Sequence, residues 1–278
     1  MNTIYSFLRT TLMLDKIIEI AKQAGEKILE IYKSENFEIN FKDDMSPVTM
    51  ADLDSNSIIM RGLKQVSGFP VVSEEAAVEY VARKDWRRFW LVDPLDGTKD
   101  FIAKNGQFTV NIALIDGDTP VLGVIYIPAR NDAYWAERGG GAYRNGVKIY
   151  NLSTRTDLIA ADSVFHSSAE TKTFLEKNNI TDIKRLGSSI KYCALAEGVI
   201  DIYPRFNGTK EWDTAAGQVI LCEAGCKIID LSTKQNLKYN KPDIRNNFFI
   251  ALRGDLELNY ENYYISRGSR NTSAPVNG

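Results

Sequence analysis

Phe89-Trp90-Leu91-Val92-Asp93-Pro94-Leu95-Asp96-Gly97-Thr98 decides how this chain is read. Four apolar residues make a run of strand length that stops at Asp93-Pro94. Two carboxylates then sit three residues apart at the carboxyl end of a buried strand. Pro94 removes a backbone donor and fixes φ, and Gly97 permits a tight backbone path. Such a turn can aim the Asp93 and Asp96 carboxylates and the Leu95 carbonyl at one point, the all-oxygen arrangement that hard divalent cations favour. The same residues also satisfy a plain Asp-Pro/Asp-Gly turn that closes a strand, and spacing alone does not separate the two.

Upstream of this stretch, Leu14, Ile17, Ile18, Ala21, Ala24, Ile28, Ile31 and Tyr32 fall on one helical stripe with Lys and Glu opposite, an amphipathic helix of about 20 residues. A turn is expected at Ser46-Pro47. A second helix is expected over 50–65 with Leu53, Ile58, Ile59 and Leu63 inward, then a short strand from Phe69 to Val72. Downstream, Phe108 to Ile115, Val121 to Ile127 and Asn131 to Ala136 read as a strand meander, with Gly139-Gly140-Gly141 and Asn145-Gly146 marking its end. From about residue 150 strands and helices alternate: a strand over Ile159 to Val164, helices over 169–178 and Ser188 to Glu197, a strand over Val199 to Tyr203. A helix over Thr214 to Ala224 and a last strand over Phe248 to Leu252 follow. The expected divisions are an extension over 1–12 (Met13 opens the periodic segment and could be the true start), an α+β half over 13–150, an α/β half over 151–258, and a polar, disordered tail over 259–278, patternless from Ser266.

Composition narrows the function classes. The chain has 278 residues, 34 Lys+Arg against 36 Asp+Glu, a net charge of -2 and one histidine. A balance this even argues against a surface for polymeric nucleic acid. No apolar run approaches the roughly 20 residues of a membrane span, and the N-terminus lacks the apolar block of a signal peptide. Three cysteines, Cys193, Cys222 and Cys226, are an odd and sparse set that fits a reducing compartment. They are too few for a zinc site, and Cys222 and Cys226 read as buried apolar residues with a helix ending at Gly225 between them. No Gly-x-Ser-x-Gly elbow and no Walker-type loop is present.

Three further acidic elements repeat the pattern of acid beside strand or helix end. Ser73-Glu74-Glu75 follows a short apolar strand. Trp212-Asp213-Thr214-Ala215-Ala216-Gly217 opens an apolar helix. Thr49-Met50-Ala51-Asp52 puts Asp52 in the first turn of another. Taken singly, each has an ordinary explanation: a solvated Glu74, an N-capping Asp213, an Asp52 favoured by the helix dipole.

Together they resemble the metal-dependent phosphatases of the inositol monophosphatase superfamily, over about residues 14–253. Its acid-Pro-Leu/Ile-acid-Gly-Ser/Thr turn is matched at 93–98, and its Trp-Asp-x-Ala-Ala/Gly helix start at 212–216. The run from Gly187-Ser188-Ser189-Ile190-Lys191 to Asp201-Ile202-Tyr203-Pro204-Arg205-Phe206 further resembles the 3'(2'),5'-bisphosphate nucleotidases of the bacterial CysQ type. Inositol phosphatases carry an acid seven positions before the helix-start Asp; here that position is Phe206, a departure from the inositol pattern.

The resemblance implies a layered αβαβα sandwich, an α+β half followed by an α/β half, with the active site between them. It implies a cytoplasmic enzyme, or one also peripheral on the inner membrane face, that removes the 3'-phosphate of adenosine 3',5'-bisphosphate. Activity on 3'-phosphoadenylyl sulfate, a link to sulfur metabolism and sensitivity to Li⁺ follow from the same source. Glu74, Asp93, the Leu95 carbonyl, Asp96 and Asp213 would hold two or three Mg²⁺. Asp52, Thr98 and Glu74 would serve catalysis, with the Thr98 hydroxyl oriented by Asp52. Substrate would touch these groups and also Gly97, Ser188, Lys191 and Arg205. From the residues themselves, Ser188 and Ser189 open a helix whose free N–H groups suit a phosphate, with Lys191 one turn in. Lys191 and Arg205 add charge for a second phosphate, although both also read as solvated surface residues. An inositol- or sugar-phosphate phosphatase on this fold, and a non-catalytic regulatory phosphate binder, remain alternatives.

Overall fold

The computed structural model describes residues 2–34, 39–41 and 47–267. The stripe beginning at Leu14 belongs to a longer helix, α1 (Asn2–Lys33), whose backbone runs through the expected extension without a break. Its Ile17, Ala21, Ala24 and Ile28 are fully buried. Strands β1 (Ile39–Phe41) and β2 (Pro47–Thr49) pair antiparallel. Of the expected Ser46-Pro47 turn, Ser46 lies outside the described residues and Pro47 opens β2. Helix α2 (Met50–Val66) follows. Its inward row is Ala51, Ser55, Ile59 and Leu63, spaced by four. Leu53 lies off that row and is 44% exposed, against the expectation that it points inward.

Strand β3 (Val71–Ser73), the short helix α3 (Tyr80–Arg83), strand β4 (Arg88–Asp96) and the one-turn helix α4 (Thr98–Ile102) lead into the meander. Its strands are β5 (Thr109–Asp116), β6 (Thr119–Ile127), β7 (Asp132–Glu137), β8 (Gly141–Arg144) and β9 (Val147–Ile149). The glycines expected to end the meander are turns inside it, joining β7 to β8 and β8 to β9. With φ at +81° for Gly139 and +85° for Gly146, they close hairpins instead of stopping the sheet. The seven strands lie in chain order, β3 parallel to β4 and the rest antiparallel.

The second half contains β10 (Ile159–Ser163), α5 (Ala169–Lys177), β11 (Asp182–Leu186), α6 (Ile190–Ala196), β12 (Ile202–Arg205) and α7 (Glu211–Glu223). It continues with β13 (Cys226–Asp230), β14 (Phe249–Arg253), β15 (Leu256–Asn259) and β16 (Tyr264–Arg267). Five of these strands form a sheet in the order β11-β10-β12-β14-β13. Strand β11 escapes sequence reading because Asp182 to Arg185 are all exposed, so no apolar alternation marks it. The helix expected from Ser188 begins at Ile190, since Ser188 has φ +43°. The strand expected at Val199 begins at Ile202, after the Gly198 turn (φ +72°). Residues 259–267, assigned to a disordered tail, complete the antiparallel β15–β16 hairpin; the tail from 268 lies outside the described residues. Cys226 is buried, but Cys222 is exposed, on the outer side of the last turn of α7.

Burial orders these elements into layers. Along β4, Trp90 and Val92 join α1 and α2 in one core, while Phe89 and Leu91 join α6 and α7 in another. The large sheet is therefore covered on both faces, which is why its strands read as unbroken apolar runs. The α6–α7 core continues onto Tyr203, Ile228, Phe249 and Ala251 of the small sheet. Helix α5 and the last hairpin cover that sheet's outer face. The order is helix, sheet, helix, sheet, helix: the αβαβα sandwich expected. Among the described residues no helix is long and apolar enough to cross a membrane.

Candidate active site

The carboxyl end of β4, the starts of α6 and α7, and the end of β12 converge on one cavity of about 340 Å³. Glu74, Asp93, Leu95, Asp96 and Asp213 line it, and so do Lys191 and Arg205. Gly97, Thr98 and Ser188 also border it. Gly97 adopts φ +93°, and a Cβ there would lie 2.9 Å from the Ser188 Cβ and 3.1 Å from the Gln107 carbonyl oxygen. The turn thus requires glycine both for its backbone and for the close approach of the second half.

Each acid is held by local bonds. The Asp93 carboxylate accepts from the Leu95 N–H at 3.1 Å. Asp96 Oδ2 accepts from the Ser189 hydroxyl at 2.7 Å and from Asn111 Nδ2 at 3.3 Å. Asp213 is the third residue of α7, not its N-cap, and its Oδ2 accepts from the Lys210 N–H at 2.7 Å. Among the described residues no three His, Cys, Asp or Glu side chains stand close enough to clasp an ion as they are. The carboxylates border the cavity together without meeting at a point, as like charges do. Burial, then the nearby Glu74, Asp96 and Asp213 carboxylates, push Asp93 well above the usual carboxylate range. Burial, then Asp96 and Glu74, push Asp213 up to about 7. Neither Asp93, Asp96 nor Asp213 has an ion pair among the described residues. Grouped acids without a cation are costly. The donor set, carboxylates and a backbone carbonyl without thiol or imidazole, suits a hard divalent ion.

Thr98 and Asp52 come together as expected. The Thr98 hydroxyl donates to Asp52 Oδ1 at 3.1 Å, while Asp52 Oδ2 accepts from the Thr49 N–H and hydroxyl, both at 2.7 Å. Asp52 is buried, and desolvation raises its pKa to about 6 against the lowering pull of the Thr49 bonds.

The basic side chains differ from expectation. Lys191 is not solvated, and Arg205 is half-buried. Lys191 is 4% exposed and is the second residue of α6, not one turn into it. Its Nζ donates to the Leu186 carbonyl at 3.0 Å and lies 5.4 Å from the Tyr203 ring centre. Burial, then the Arg205 charge, bring its pKa down to about 8. The Arg205 Nε is buried and has no hydrogen-bond partner among the described residues, while its Nη2 donates to the Gly208 carbonyl at 3.4 Å. Ser188 lies outside the seven-residue α6, so no helix N-terminus presents free N–H groups at that residue; its hydroxyl donates to Thr109 Oγ1 at 3.1 Å.

The structure adds contributors and gives Ser189 a different role from the one expected. Both serines join the two halves, Ser188 by bonding Thr109 and Ser189 by bonding Asp96. Thr109 and Asn111 support Ser189 from β5, and their alternation with Val110 in an otherwise apolar strand was a usable signal. His166 and Ser163 also line the cavity. Burial and the neighbouring Arg205, Lys99 and Lys191 hold His166 neutral, its pKa brought down to about 4.

Comparison with known proteins agrees with this geometry. The model of the inositol monophosphatase family matches residues 11–258. A 3'(2'),5'-bisphosphate nucleotidase CysQ of Buchnera aphidicola subsp. Acyrthosiphon pisum is 42% identical over 237 residues, 82% of this chain and 88% of that protein. The protein of the same name from Escherichia coli (strain K12) is 42% identical over 227 residues, 80% of this chain and 92% of that protein. The crystal structure of CysQ from Bacteroides thetaiotaomicron, described as a bacterial member of the inositol monophosphatase family, superposes with a TM-score of 0.78. It is 39% identical in sequence and the match covers 87% of this chain and 97% of that one.

Proposed function

The chain belongs to the inositol monophosphatase family, and from that premise we infer that it is a 3'(2'),5'-bisphosphate nucleotidase, a hydrolase of phosphoric monoesters. Its reaction is removal of the 3'-phosphate of adenosine 3',5'-bisphosphate, giving AMP and phosphate. 3'-Phosphoadenylyl sulfate is a second substrate, and the setting is sulfur metabolism in the cytoplasm. One observation carries the nucleotide reading: the cavity lined by the acids is also lined by the buried Lys191 and by Arg205, whose Nε has no hydrogen-bond partner among the described residues. A monophosphate needs only the cations that the acids would hold; a molecule with two phosphates can use the two basic side chains as well.

Glu74, Asp93, the Leu95 carbonyl, Asp96 and Asp213 would hold Mg²⁺, two or three ions by family resemblance. Bound there, the ions would lower the pKa of an attacking water and offset charge on the leaving oxygen. The Thr98 hydroxyl orients that water, and Asp52 accepts a proton relayed through it. A bond forms from the water oxygen to phosphorus as the bond from phosphorus to the 3' oxygen breaks, and the leaving oxygen takes up a proton. Arg205 and Lys191 fix the 5'-phosphate.

Phosphate release with Mg²⁺ over adenosine 3',5'-bisphosphate, inositol 1-phosphate and fructose 1,6-bisphosphate tests this reading. The nucleotide is expected to have the highest kcat/KM; preference for inositol 1-phosphate overturns it, and no release from any leaves a non-catalytic phosphate binder. Arg205→Ala is expected to lower kcat/KM for the bisphosphate by roughly ten- to a hundredfold, the worth of a charge-assisted contact. Hydrolysis of 3'-AMP, which lacks the second phosphate, should barely change. Equal losses on both would remove Arg205 from second-phosphate recognition.

A further inference from the structure

Glu74 and Asp213 reach the cavity from different halves of the chain, one from the turn after β3, the other from the first turn of α7. Like charges facing one cavity push their supports apart. Behind them runs a continuous chain of polar contacts. Arg83, at the end of α3 and 3% exposed, spends its whole guanidinium fork on neutral acceptors. Nε donates to the Val78 carbonyl at 3.0 Å, Nη1 to Asn240 Oδ1 at 2.8 Å and Nη2 to the Lys241 carbonyl at 2.8 Å. Asn240 Nδ2 returns a bond to the Arg83 carbonyl at 3.1 Å. The Asn240 and Lys241 N–H groups donate to the fully buried Glu211 carboxylate at 2.8 and 3.0 Å, and Lys241 Nζ adds a 2.7 Å ion pair. Glu211 is the first residue of α7, two before Asp213. Asn246 closes the far end, donating to the Lys210 carbonyl at 2.8 Å and the Thr214 hydroxyl at 3.0 Å.

We propose that Arg83 and Asn240 are positioning residues. The strap from Arg83 through Asn240 and Lys241 to Glu211 sets the separation of the Glu74 turn from the start of α7, and thereby the cavity's affinity for its divalent cation. Stability alone is a weak reason for this arrangement, because a buried guanidinium that meets no carboxylate directly is costly. Helix α7 is already anchored by Ala215, Ala216, Val219 and Ile220, all but fully buried. What the strap adds is a rigid cross-connection between two acidic elements that repel. Outer supports of this kind orient metal ligands without touching the metal.

The proposal rests on the metal reading above, and its test separates the two. Asn240 has φ +60°, so Asn240→Gly keeps the backbone path while removing the carboxamide. Arg83→Lys keeps the charge but loses the fork. Mn²⁺ binding by calorimetry, and the rise in Tm on adding Mg²⁺, are measured for wild type and both variants. Each variant is expected to bind Mn²⁺ about tenfold more weakly, to need more Mg²⁺ for half-maximal turnover, and to keep kcat near wild type once saturated. The double variant should lose little more than either single one, since both cut the same link. Arg253→Lys, in the separate buried Arg253–Asp201 pair, should lower Tm without moving the Mn²⁺ isotherm. Strap variants that lose Tm but bind Mn²⁺ as wild type does would overturn the proposal. A wild type that binds no Mn²⁺ would sink the metal reading beneath it.

Discussion

Asp213→Asn is expected to lose measurable turnover at any Mg²⁺ concentration while folding normally and gaining stability without metal. The asparagine keeps an oxygen for the Lys210 N–H, which Asp213 now bonds at 2.7 Å, so the start of α7 need not move. What disappears is one negative charge among Glu74, Asp93 and Asp96. Burial first, then Asp96 and Glu74, raise the Asp213 pKa from 3.8 to about 7. The sign follows from linkage. A carboxyl whose folded pKa exceeds its unfolded value binds its proton more tightly when folded. Its contribution to stability is therefore complete below about pH 4 and is lost as pH rises through about 7. Metal-free wild type should lose stability across that window, and Asp213→Asn should lose less. Melting temperatures in chelator at pH 5 and pH 8, beside activity at saturating Mg²⁺, check both halves. Near-normal turnover, or an unchanged pH slope, would remove Asp213 from the acidic centre.

Thr98→Ala is expected to lower kcat by roughly 10²–10⁴-fold, the span of a positioned proton-transfer group. The hydroxyl is the link between the cavity and Asp52, which is buried and bonded on its other oxygen to Thr49. Removing it leaves Asp52 with no route to a water in the cavity. KM should hardly move, because on the proposed reading metal, Arg205 and Lys191 would hold the substrate's phosphates. Thr98→Ser, which restores the hydroxyl, should recover most of the rate. A change confined to KM would make Thr98 a binding residue only.

The acidic turn at 93–98 was legible because its chemistry is local. An apolar run ending in Asp-Pro and Asp-Gly specifies a strand end, a fixed φ and a glycine turn within six residues. The Asp52 and Asp213 segments were legible as helix starts for the same reason, although Asp213 proved to be the third residue and not the cap. The helical stripe of α1 and the run of apolar strands gave a helix-plus-meander first half, and the layered sandwich was what the family resemblance implied. Legibility failed where exposure hid the pattern, as in β11, and where a turn glycine marked a hairpin rather than an end, as at Gly139 and Gly146.

What residue order marked by itself, then, was the pair of short motifs at 93–98 and 212–216, whose side-chain types carry the family resemblance that implied the fold and pointed to the acids lining the cavity. Tertiary structure alone decided which serine bonds Asp96, that Arg83 is tied to the start of α7, and that Arg205 and the buried Lys191 line the same cavity as the acids. The first two are contacts between residues many tens of positions apart: 93 for Ser189 and Asp96, 157 for Arg83 and Asn240. Chain spacing carries no information about such a contact until the two sheets have packed on the shared α6–α7 layer. The burial of Lys191 is likewise a product of that packing, which encloses a side chain that polarity alone would have left in water.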